Sequence, residues 1–233
     1  MSSSTEFVTP TADAPLPSLG GRSALVDDVY EAIKAWIMDS VREPGVRANI
    51  DALARSLEVS HTPVREALAR LDAEGFVVKE RSRGYTVTPP LTAPQVADLY
   101  EFRQLLEPWA AGRAADRCDE HTERRLLDEL ATCEVAPDDQ GYEAYRALAA
   151  HDERFHDLVL ELAGNDEARR TFASTHCHLH LFRLSYGKGM GVQALAEHRA
   201  VADAIIAGDD ASASAAMAAH LRLSSERLAG VLD

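Results

Sequence analysis

The strongest constraint this chain places on its own fold is a pair of short helical patterns split by a tight turn and followed at once by an alternating pattern. Asp51 to Leu57 reads as a helix of about two turns, and Glu58-Val59-Ser60 turns the chain. Thr62 to Glu74 reads as a second helix, with Val64, Ala67, Leu68 and Leu71 at helical spacing. Ser60 and Thr62 are both capping types, Pro63 is tolerated where the first turn needs no backbone donor, and Gly75 ends the helix. From Phe76 the period drops to two. Phe76–Glu80 and Tyr85–Thr88 read as strands joined by Arg81-Ser82-Arg83-Gly84 and closed by Pro89-Pro90. Upstream, Leu25, Val29, Ile33, Trp36 and Ile37 mark one further helix from Ala24 to Ser40, stopped by Pro44-Gly45. Residues 22–90 therefore predict a winged helix-turn-helix with a small β-hairpin wing.

The apolar stripe of the 62–74 helix leaves His61, Thr62, Arg65, Glu66, Ala69 and Arg70 to face outward. A polar helix start of this kind is what enters a DNA major groove, and the basic hairpin tip would place Arg81 and Arg83 near phosphates or the minor groove. The formal net charge of −14, taken alone, argues against this. Its distribution does not: residues 22–90 hold 10 Lys/Arg against 11 Asp/Glu, whereas residues 91–233 hold 14 against 25. The same small fold also serves protein contacts, in which case these charges are only a solvated face.

Residues 91–233 show no alternation. Helical stripes separated by short breaks predict six antiparallel helices at about 92–117, 119–135, 141–163, 165–187, 191–207 and 209–231. Eight of the nine histidines lie here. Asp152 and His156 fall one turn apart on the stripe Tyr145, Leu148, Phe155, Val159. His198 continues the stripe of Leu195, Ala202 and Ile205, and His220 that of Ala213 and Met217. Counted from the Gly208-Asp209 turn, the two are level in an antiparallel hairpin. One carboxylate and three imidazoles, all inward, form a plausible shell for a divalent first-row metal, with Zn²⁺ first and Ni²⁺ or Mn²⁺ as alternatives. Singly, each is as well read as a hydrogen-bonded core residue. Arg103 interrupts the stripe Leu99, Leu106, Ala110, and its fork suits either a carboxylate ligand or Glu107 one turn away. His176, Cys177 and His178 fall near the level of Asp152, where they could line the same cavity, with His178 as a candidate effector contact.

Val59-Ser60-His61-Thr62-Pro63-Val64-Arg65-Glu66-Ala67-Leu68, with Leu53-Ala54, Leu71, Glu74-Gly75 and Arg83-Gly84, resembles the DNA-binding domain of the GntR family over about 45–89. The resemblance implies base reading at the start of the second short helix. Ser60, Thr62 and Arg65 match family contact positions and Gly84 matches the wing tip. His61 stands where the family usually has Arg, and Asp51 where the FadR group often has a basic residue. A mostly neutral His cannot hold guanine as a guanidinium does. Glu101-Phe102-Arg103, Leu106-Glu107, Asp152, Phe155-His156, Glu197-His198 and His220-Leu221 in turn resemble the FCD domain of the FadR subfamily. That resemblance implies a metal held by Asp152, His156, His198 and His220, an organic acid held with the help of Arg103, and a homodimer on a pseudo-palindromic operator.

Together these readings predict a transcription regulator, with repression as the expected mode, that binds double-stranded operator DNA under control of a small carboxylic acid. A metal-dependent hydrolase and a metal-independent interaction module are the competing readings. The hydrolase lacks HExxH, GxSxG or P-loop patterns, and the module would leave Asp152 and the histidines uncompensated. Residues 1–21 are rich in Ser, Thr, Pro and Gly and read as a disordered tail rather than a signal peptide. No apolar run approaches the about 20 residues that span a bilayer, so the expected location is the cytoplasm. Cys118, Cys133 and Cys177 show no ligand or disulfide spacing.

Overall fold

The computed structural model describes residues 22–39, 45–81, 84–136, 142–185 and 191–232. The chain begins with helix α1 (Arg22–Asp39), the two-residue strand β1 (Arg47–Ala48), α2 (Ile50–Ser56) and α3 (His61–Ala73). Strands β2 (Val77–Glu80) and β3 (Gly84–Val87) follow. The sheet order is β1-β3-β2, all antiparallel, with Val77 opposite Val87, Glu80 opposite Gly84 and Arg47 opposite Thr86. Two strands were expected. The third, β1, is too short for any periodicity to show, and it exists because β3 has a free edge to fill. Asn49 caps α2 by accepting from the Ala52 amide at 3.0 Å, and Gly75 supplies the positive φ of 79° that turns α3 into β2. Val29, Ile33, Ile37, Leu68, Leu71 and Phe76 close one apolar core.

The second half runs α4 (Ala93–Ala115), α5 (Glu120–Ala131), α6 (Tyr142–Leu162), α7 (Asp166–Ala173), α8 (Cys177–Ser185), α9 (Gly191–Ile206) and α10 (Asp210–Leu232). It is the expected helical bundle, with one refinement. The stretch predicted as a single helix over 165–187 is two, broken where Ser174 and Thr175 end α7 and His176 takes φ 47°. A non-glycine residue in that region carries no sequence signal. Thr92 and Gln95 form a capping box at the head of α4. Gly112 lets α4 approach α10 so closely that a Cβ there would meet the Asp210 carbonyl at 3.0 Å. No helix among the described residues is long and apolar enough to cross a membrane.

The two cores meet through α8. Leu179 is buried in the first core and Phe182 packs against it, although both belong by sequence to the second half.

Candidate metal centre and DNA-reading face

The α9–α10 hairpin brings His198 and His220 level, with ring centroids 4.8 Å apart, and His156 on α6 lies 5.2 Å from each. One nitrogen from each of the three falls within 4.8 Å of the others, and all three rings are buried. Asp152 forms a second such group with His156 and His178. Its Oδ1 is 3.5 Å from His198 Nε2 and 4.0 Å from His156 Nε2, so the two groups adjoin. The four residues predicted as ligands are thus gathered at one place.

Each ring is oriented by a partner on its other nitrogen. His156 Nδ1 meets Glu107 Oε2, His220 Nδ1 meets Glu197 Oε2 at 2.8 Å, and His198 Nδ1 meets His151 Nε2 at 3.1 Å. His151 Nδ1 is in turn 3.0 Å from Glu129 Oε1. The acceptors fix the proton on Nδ1 of each ring, which leaves the Nε2 lone pairs for the shared centre. His198 Nε2 is buried with no hydrogen-bond partner. Burial pushes the His156 imidazole down to about 4, against the pull of Glu107, and burial together with the neighbouring His220 lowers His198 well below the ordinary range. Burial opposes charge on Asp152, but the hydrogen bond and charge of His178 hold its carboxyl well below the carboxylate range. Neutral imidazoles and an ionised carboxylate are the ligand states a transition metal needs, and a buried ring nitrogen without a hydrogen-bond partner is a donor that a cation can take up. The donor set fits Zn²⁺ or a similar divalent ion.

A small cavity of about 70 Å³ abuts the cluster. Asp152 and His220 are shared between the two, and Tyr100, Arg103, Ser224 and Arg227 complete its polar wall. Arg103 is 2% exposed and donates through Nε to Glu107 Oε1 at 2.6 Å, so its local partner is real and the cavity sees only part of its fork. His178, predicted to touch an effector, is not in the cavity wall. It stands behind Asp152, donating from Nδ1 to Oδ2 at 2.7 Å, because the break at His176 turns α8 toward α6.

On the first domain His61, Thr62, Arg65 and Glu66 are exposed while Pro63, Val64, Ala67 and Leu68 are buried, as the stripe predicts. Ser60 is exposed and caps nothing with its side chain. His61 Nε2 lies 3.2 Å from Asp51 Oδ1, so the two residues that depart from the family pattern touch each other. Arg70 is exposed, as expected, and its guanidinium also bonds Asp27 and Glu74 at 3.3 Å each and lies 3.8 Å over the Tyr30 ring, against α1. Arg81 and Gly84 are exposed at the wing. Arg83 and the 1–21 tail lie outside the described residues.

The orienting roles of Glu129, His151 and Glu197 escape sequence reasoning, although Glu197 is among the marks of the FCD resemblance. These residues pair with partners 22 to 47 residues away, across helices whose mutual rotation no local period fixes. Glu107 was visible as a neighbour of Arg103 and as a mark of the FCD resemblance, without its role toward His156.

Comparisons with known proteins agree on architecture. The model of the FCD domain matches residues 98–223, and that of bacterial regulatory proteins of the gntR family matches residues 25–87. The chain is 28% identical to the HTH-type transcriptional regulator YdhC of Bacillus subtilis (strain 168), over 88% of this chain and 91% of that one. It is 31% identical to the HTH-type transcriptional regulator LutR of the same organism, over 82% and 95%. Among solved structures it resembles E. coli McbR/YncC, with TM-score 0.67 at 18% identity, covering 90% of this chain and 99% of that one.

Proposed function

Because this chain belongs to the GntR family of bacterial regulatory proteins and carries an FCD domain, and so is a DNA-binding transcription regulator and not an enzyme, we propose that it is a metal-dependent sensor of a small organic acid. In this reading it acts as a repressor whose operator affinity the acid controls. The observation that carries the reading is the unpartnered His198 Nε2, buried beside His156 and His220 and opposite Asp152.

Asp152, His156, His198 and His220 are the residues that would hold the ion. When bound, a divalent cation supplies positions at which a carboxylate can bind in place of water. Glu107, His151 and Glu197 hold the imidazoles in register through their Nδ1 protons. Tyr100, Ser224 and Arg103, whose Nη2 also lies 3.4 Å from the His156 ring nitrogens, line the cavity where the acid would lie, and Arg227 is steadied there by two bonds to Glu197 of 2.6 and 2.8 Å. On the DNA side Ser60, His61, Thr62 and Arg65 are the base-reading candidates, and Arg81, Arg83 and Gly84 the wing contacts. A homodimer would present two such faces to a pseudo-palindromic site.

The test is thermal unfolding against a panel of small mono- and dicarboxylic acids, with protein stripped by chelator and reloaded with Zn²⁺, Ni²⁺ or Mn²⁺. A ligand of the folded state at about a hundredfold excess over its Kd adds roughly 2.7 kcal/mol. The expected result is an acid that stabilises only metal-loaded protein, and no such effect in His198→Ala. If chelation changes nothing and no acid shifts the melt, the sensor reading is wrong and only the DNA-binding half stands.

A further inference from the structure

Helix α8 is nine residues long and touches both domains. On one side His178 donates to Asp152, and Leu181 and Phe182 line the cavity beside the cluster. On the other, Leu179 lies in the core beneath the DNA-reading helix. His180 Nε2 donates to the Glu74 carbonyl at 3.0 Å, its ring stacks on Phe76 with centroids 5.0 Å apart, and it lies 3.4 Å from where a Cβ on Gly75 would stand. Glu74 to Phe76 is the turn that ends α3 and starts the wing.

Arg183, 1% exposed, donates through Nη2 to the Thr88 carbonyl at 2.8 Å, with Nη1 at 3.5 Å from the Thr88 hydroxyl. That hydroxyl donates to the Gly75 carbonyl at 2.7 Å. Among the described residues Arg183 has no carboxylate partner, and its Nε has no partner at all. A buried guanidinium without a counter-charge is a costly way to fill space that a Leu would fill at no such cost. What it provides is a grip on main-chain oxygen. Thr88 follows β3, so His180 and Arg183 together hold the end of the reading helix and the end of the wing's last strand.

We propose that His180 and Arg183 are positioning residues through which the state of the Asp152–His156–His178 cluster sets the pose of α3 and the wing. This rests on the reading of the cluster as the sensing site. A two-and-a-half-turn helix moves as one piece. A shift at His178 therefore appears two and five residues further on, at His180 and Arg183, with no intervening loop to absorb it. That is a contiguous packed element on which both sites can act.

The experiment is a mutant cycle on the full chain. The cluster side is changed by His178→Ala, and the clasp by Arg183→Gln or, separately, by His180→Phe, which keeps the stack on Phe76 and loses the bond to Glu74. The first readout is affinity for a duplex selected from random sequence by the unaltered protein. The second is hydrogen exchange at the Phe76 and Thr88 amides, which bond to the Leu71 and Phe76 carbonyls at 2.9 Å each and need neither operator nor metal. His178→Ala is expected to change both readouts about fivefold or more in the unaltered clasp, and less than about twofold in either clasp variant. A purely structural role for Arg183 or His180 would make the effects multiply instead. Multiplying effects, or no effect of His178→Ala in the unaltered clasp, overturn the proposal. Zn²⁺ affinity, measured in parallel, separates the two ideas. No Zn²⁺ binding with a non-multiplying cycle removes the metal sensor and keeps the clasp, whereas Zn²⁺ binding with multiplying effects does the reverse.

Discussion

The two domains keep their polar groups on opposite sides of their cores. Of the described residues up to 90, Lys34 at 9% exposure is the one charged side chain that is buried, and the polar start of α3 lies outside. In the helical bundle Arg103, Glu107, His151, His156, His178, His198 and His220 are all buried. The first arrangement suits a surface that must meet a large, flat, charged partner without changing shape. The second suits a site that must surround a small one and exclude water, and it carries the desolvation of every group it encloses. The DNA-binding domain is thus stabilised by packing away from its exposed face, whereas in the bundle the buried polar cluster is part of the core itself.

Three changes test that contrast, in order of expected size. Glu107→Ala leaves Arg103 and His156 without their shared acceptor, and removing one partner of a buried ion pair costs about 3–5 kcal/mol. Urea unfolding followed through Trp109, on α4, should show that loss; a change under about 1 kcal/mol would mean that water already supports the buried charges. Leu68→Ala removes a side chain that is 0% exposed from the reader core and should cost about 2–5 kcal/mol, followed through Trp36, while metal affinity stays as it was. Arg65→Ala should lower operator affinity by about 1–3 kcal/mol and leave stability within about 0.5 kcal/mol. Loss of stability in that variant would show that the reading face is also structural and blur the distinction.

The sequence makes this contrast partly visible. Outward positions of α3 follow from the spacing of Val64, Ala67, Leu68 and Leu71, because one face of one helix decides them. His198 and His220 follow from the hairpin, since equal distances from a tight turn bring two residues level. What escapes is whatever depends on how helices rotate against each other. Arg70 lies on the outward face by period, but its contacts with Asp27 and Tyr30 of a neighbouring helix do not show there. His151 lies one residue from the Asp152 stripe, and only the close approach of α9 shows that it orients His198. The bend at His176, which moves His178 behind Asp152 and brings α8 against the first domain, has no glycine or proline to announce it.

The atoms that α8 grips have a consequence for divergence. His180 and Arg183 each bond to a main-chain carbonyl, of Glu74 and of Thr88, and every residue type offers that same oxygen. The outward residues of α3 can therefore be exchanged for others that recognise a different DNA sequence while the attachment to the bundle is left intact. Under the proposed role of α8, a change of target sequence leaves that attachment in place.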